Sequence, residues 1–154
     1  MLWFRVLPFL LLLSACGFQS VYGPGGNGGA LQNRVLVEEQ NTREGFLLVR
    51  QIEERIGRGA DPAYRLGLGL EILEEGLGVD EDDNTLRFNL IGTADFELRD
   101  ETGALVTSGQ VSSFTGYSAT GTFVATLAAE QDARERLMTI LADQIIARLL
   151  TADL

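Results

Sequence analysis

Residues 64–72 read Tyr-Arg-Leu-Gly-Leu-Gly-Leu-Glu-Ile, an alternation without a break. Tyr64, Leu66, Leu68, Leu70 and Ile72 fall on one side, and Arg65, Gly67, Gly69 and Glu71 on the other. Successive side chains of a strand point to opposite faces, so this is a half-buried strand with one packed face and one nearly bare face. Interior glycines weaken a strand; they mark close approach by another surface or simply a glycine-rich composition.

Upstream, Arg34-Val-Leu-Val-Glu-Glu39 has the β-branched content of a short strand. Asn41 stands three residues before Glu44, the spacing of a capping box. Leu48, Val49, Ile52 and Ile56 then recur at helical spacing, with Arg50, Glu53, Glu54 and Arg58 on the other side. Gly57 and Gly59 close that helix, and Pro62 follows. Strand, helix and a new strand from Ala63 make a βαβ unit, whose crossover is right-handed and whose strands are parallel.

Downstream, Glu74 to Asn84 is acidic and reads as a solvated loop; it lacks the alternating Asp and central Gly of a calcium-binding EF-hand loop. Leu86, Phe88, Leu90, Ala94, Phe96 and Leu98 alternate with polar residues as a third strand. Asp100-Glu-Thr-Gly103 is a tight turn. Leu105, Thr107, Val111 and Ser113 alternate through a fourth strand ending near Tyr117, antiparallel to the third. Thr120 or Thr122 caps a long helix to about Leu150, with Leu137, Met138, Leu141, Ile145 and Leu149 as its apolar stripe. The expected fold is an α/β two-layer sandwich in the order β-α-β-β-β-α. It has a four-stranded mixed sheet with two helices on one face and a polar, glycine-speckled opposite face.

The N-terminus carries a different kind of signal. Arg5 and the apolar run Val6–Leu13 precede Leu13-Ser14-Ala15-Cys16. The run is too short to span a bilayer, which takes about 20 residues. Small residues followed by a cysteine resemble the bacterial lipobox, in which the thiol takes a diacylglycerol, the signal is cut before it, and the new amine is acylated. Cys16 is the expected lipidation site, and residues 1–15 the signal peptide. Stable anchoring takes more than one acyl chain, each contributing about 0.8 kcal/mol per buried CH₂. Gly17 stands where an inner-membrane retention signal has Asp, which points to the periplasmic side of the outer membrane. Pro24-Gly-Gly-Asn-Gly-Gly29 has nothing to bury, so residues 16–32 read as a lipidated flexible tether and residues 33–154 as the folded domain.

Composition narrows the chemistry. Cys16 is the only cysteine and is consumed by lipid; there is no His, and all twelve basic residues are Arg. The usual general base and nucleophile are therefore missing, Ser112, Ser113 and Ser118 have no partner base, and no enzyme, metal site or cofactor is expected. A net charge of −10 argues against nucleic acid and against spreading over an anionic membrane.

Residues 16–23, Cys-Gly-Phe-Gln-Ser-Val-Tyr-Gly, resemble the Cys-Gly-Phe-x-x-x-Tyr-Gly start of the LptE family of lipopolysaccharide-assembly lipoproteins. The C-terminal helix is similar to the same family in its alanine-rich opening, residues 128–133, and in Leu141-Ala-Asp-Gln-Ile-Ile-Ala-Arg-Leu149. The resemblance implies a non-enzymatic plug and assembly partner inside the LptD β-barrel, helping lipopolysaccharide reach the cell surface and taking it as a direct ligand. The alternative is a free-standing periplasmic carrier holding a lipid or small ligand between sheet and helices. Phosphates of a glycolipid would meet arginine forks. Arg65, Arg87 and Arg99 alternate away from the core and are the candidate ligand-binding residues, although Arg87 is also expected opposite Glu71 as a cross-strand ion pair.

Overall fold

The computed structural model describes residues 27–79, 85–152 and 154. The signal peptide, Cys16 and the first part of the tether lie outside the described residues, as do residues 80–84 of the acidic segment. The elements are α1 (Asn27–Leu31), β1 (Val35–Val37), α2 (Arg43–Ile56), β2 (Tyr64–Val79), β3 (Thr85–Asp100), β4 (Leu105–Ser118) and α3 (Phe123–Leu150). The sheet order is β1-β2-β3-β4, with β1 parallel to β2 and the other neighbours antiparallel. This is the expected mixed-sheet sandwich, preceded by one more helix.

That helix starts six residues before Asn33, where the sequence places the first folded residue. Two of its five residues are glycine, so local propensity does not explain it. Tertiary burial does: Leu31 is fully buried, and Asn33 N–H donates to the Ile56 carbonyl at 2.7 Å. Asn33 turns the chain at φ 58°, beside Gly57 at φ 77°, whose position a Cβ could share only by running into the Asn33 side chain.

Helix α2 is capped by Thr42 rather than Asn41; Thr42 Oγ1 accepts from Gly45 N–H at 3.0 Å. Helix α3 is capped by Thr122, whose Oγ1 accepts from Ala125 N–H. Arg134 on α3 pairs with Glu44 near the start of α2, and Asp143 with Arg55 near its end, so the two helices run in the same direction. At about 1.5 Å per residue α3 is about 42 Å long and α2 about 21 Å. Both run away from the end of the sheet where β2 passes into β3, and α3 starts nearer to that end, since its twelfth residue, Arg134, meets Glu44 at the start of α2.

The core fills the layer between helices and sheet. Leu48 and Ile52 of α2, Leu66 of β2, Leu90 and Leu98 of β3, and Leu137, Met138, Leu141, Ile145 and Leu149 of α3 are fully buried. Gly92 on the inner face of β3 lets α3 approach closely: a Cβ there would lie 3.0 Å from methyl carbons of Leu137 and Leu141. At Gly67 and Gly69 a Cβ would meet only ordinary contacts, so close approach does not explain those two.

Three expectations along the strands are corrected. Glu74–Val79 is not loop but the continuation of β2, held by a ladder with β3 that reaches Val79 opposite Thr85. The register this imposes puts Arg87 opposite Leu77 and Glu71 opposite Thr93, so Arg87 and Glu71 do not pair. An irregularity at Leu98/Arg99 turns Leu105 away from the core, opposite Arg99, while Val106 packs against it.

The outer sheet face as candidate functional site

Each strand sends alternate residues to the face that no described helix covers. The ladder places Arg65 directly opposite Arg99, like charges side by side. Arg99 Nη2 donates to Glu97 at 2.7 Å and Nη1 to the Gly103 carbonyl at 3.2 Å, which fixes its guanidinium over the β3–β4 turn. The turn is built on Asp100, whose Oδ1 accepts from the Thr102 hydroxyl and from the N–H groups of Thr102 and Ala104. Those bonds, the Thr102 hydroxyl foremost, hold its carboxyl below the usual range. Arg65 and Arg99 thus line a surface cavity of about 410 Å³ with Glu38, Glu97, Asp100 and Glu101 among its other walls. Arg87 is not part of it. It lies twelve residues along β3 from Arg99, about 40 Å at 3.3 Å per residue.

The sequence reading missed the middle of this face. Leu73, Ile91 and Phe114 stand opposite one another across β2, β3 and β4, with Leu73 55% and Phe114 67% exposed. The face is therefore polar at one end and apolar in the middle. The alternation from Tyr64 to Ile72 does not announce Leu73, because there the apolar positions change parity, with Glu74 and Gly76 on the inner face and Leu73 and Leu77 on the outer one.

On the inner face, where β2 outruns α2, a second cluster forms. Arg134 pairs with Glu130 at 2.9 Å, Glu74 at 3.2 Å and Glu44 at 3.3 Å, joining α3, β2 and α2. Burial opposes its charge, but the hydrogen bond and charge of Glu130, with Glu44 and Glu74, outweigh it and raise its pKa. Tyr117 donates to Glu74 and stacks on Phe88 with ring centroids 5.1 Å apart. Burial, then the bond to Glu74, pushes the phenol up to about 12. These groups hold one another.

A family model described as lipopolysaccharide-assembly, LptE, matches residues 32–149. The chain belongs to the LptE family. Among solved structures it is similar to a lipoprotein of Caulobacter crescentus CB15, at 26% identity over 82% of this chain and 96% of that one, TM-score 0.68. The fold is shared with rare lipoprotein B of Shewanella oneidensis, at 14% identity over 75% and 91% of the two chains, TM-score 0.57. It is also shared with lipoprotein B of Nitrosomonas europaea, at 14% identity over 86% and 91%, TM-score 0.60. No curated protein matches the chain. As an LptE-family member it is a lipopolysaccharide-assembly protein.

Proposed function

We propose that the chain is an outer-membrane lipoprotein anchored through Cys16 on the periplasmic side. In this reading it serves lipopolysaccharide transport as a plug and assembly partner of an LptD-like β-barrel, by binding and not by catalysis. The family match carries this reading, since it spans the described domain almost end to end. The carrier alternative finds less support, because the layer between sheet and helices is filled by fully buried side chains. Detergent extraction and affinity capture should recover an integral β-barrel in equal amount; recovery of the chain alone would overturn the plug reading. Among the described residues no helix is long and apolar enough to cross a membrane. Cys16→Ser should abolish incorporation of a fatty-acid analogue and leave an uncut precursor. Label retained by that variant would sink the anchor assignment.

For direct contact with lipopolysaccharide, the register favours Arg65 and Arg99 acting together, with Arg87 apart. Arg65→Gln with Arg99→Gln should weaken lipopolysaccharide binding about tenfold, as loss of charged hydrogen bonds to phosphate would. It should also flatten the salt dependence, while Arg87→Gln leaves both unchanged. A folded double variant that binds like the wild type would remove this end of the sheet from consideration.

A further inference from the structure

The two edges of the sheet are unlike. On one, β1 covers the start of β2, and beyond it β2 carries Glu71, Glu74 and Glu75. On the other, β4 reads Leu-Val-Thr-Ser-Gly-Gln-Val-Ser-Ser-Phe-Thr-Gly-Tyr-Ser, fourteen residues without a charge or a proline, and β3 is its one strand neighbour. Ala119 N–H donates back to the Leu86 carbonyl on β3. Backbone groups alternate sides along a strand, so those of Ser112, Phe114 and Gly116 point away from β3. The Gly116 carbonyl bears this out by accepting from Arg136 Nη2 of α3 at 3.3 Å.

Natural sheets blunt long edges with charge, proline or cover, because unpaired N–H and C=O groups are a template for another strand. On β4 such devices stand only toward its two ends, the irregularity opposite Leu98/Arg99 and the Arg136 contact at Gly116, and neither reaches residues 108–115. The apolar row Leu73–Ile91–Phe114 also runs out at this edge, leaving Phe114 mostly exposed. We infer that β4 takes an extended, uncharged segment of the barrel polypeptide as a fifth strand, an assignment that rests on the plug reading above. An extended chain satisfies both features at once, pairing with the β4 backbone and laying a side chain against Phe114. A second copy would bring another net charge of −10 to the same place, and a lipid surface has no ladder of donors and acceptors to offer.

The test uses the full lipidated chain in complex with its β-barrel partner. Amide hydrogens of Ser112 and Phe114 should exchange markedly more slowly in the complex than in the free chain. Ser112→Pro removes one outward N–H at an edge position where proline is tolerated, and should weaken the complex about tenfold, while Ser112→Ala, which keeps the N–H, binds normally. A complex in which β4 exchanges as in the free chain overturns the inference and leaves the plug reading intact, as does a folded Ser112→Pro variant that binds like Ser112→Ala. Failure of any barrel to bind overturns both. If β4 is protected in the isolated chain and that chain sediments as a dimer, the occupant is a second copy and the inference falls.

Discussion

Leu141→Ala should lower the stability of the folded domain by about 2–5 kcal/mol, the range for emptying a fully buried leucine site. Leu141 sits about two-thirds of the way along α3 with no exposed surface, and its methyl carbon rests over the bare backbone of Gly92. Glycine cannot swing a side chain into the vacated space, and Leu137 and Ile145 already occupy the flanks, so the cavity should persist and the loss should lie toward the upper part of the range. Urea unfolding of the chain without its signal peptide measures it. A shift near zero would mean that the α3 stripe is not the core, and the two-layer packing would fall with it.

Arg134→Ala should cost about 2–3 kcal/mol, somewhat below the 3–5 kcal/mol typical when one partner of a fully buried pair is removed, because the guanidinium is partly screened by water. Its side chain is 24% exposed and faces three carboxylates, from α2, β2 and α3. Without it Glu44, Glu74 and Glu130 are left facing one another with no cation between them. Thermal melts at neutral pH read the loss. Arg134→Lys should recover only part of it, because a single ammonium cannot reproduce the separate contacts that Nε, Nη1 and Nη2 make. A variant as stable as the wild type would show that the cluster is held by packing alone.

Much of this architecture is legible in the sequence, because it is written in periodicity. The alternation from Tyr64, the repeat at Leu48, Ile52 and Ile56, and the stripe from Leu137 to Leu149 report which side of each element meets the core, and the side chains in question are buried or half-buried. What escaped depends on partners far along the chain. Glu74 and Glu75 look like loop residues until β3 pairs with them; the charge of Glu74 is then met by Arg134, sixty residues on. The register of β2 on β3 follows from how far that ladder extends, so the expected Arg87–Glu71 pair failed together with the loop boundary. A single irregular residue puts Leu105 on the face opposite to the one its alternation predicts. Helix α1 exists because Leu31 finds a buried site, which no local pattern announces. Asn41 and Thr42 are both competent caps, and nothing in their neighbourhood decides between them. At the candidate site, alternation correctly turned all three arginines outward but carried no information on spacing across strands, which is why Arg87 was grouped with residues about 40 Å away.

The unequal lengths of α2 and α3 have a dynamic consequence. Near β1 the sheet is clamped by two helices, and opening it means exposing the whole buried layer. Toward the β2–β3 connection only the first turns of α3 remain overhead, with Phe123 and Val124 almost fully solvated. Local opening free energy follows buried apolar contact, so it must fall steadily along the strands from one end to the other. The described sheet is thus graded, stiff beside α1 and β1 and yielding along the outlying stretches of β2, β3 and β4. Those stretches can open without disturbing the end that holds the sheet together.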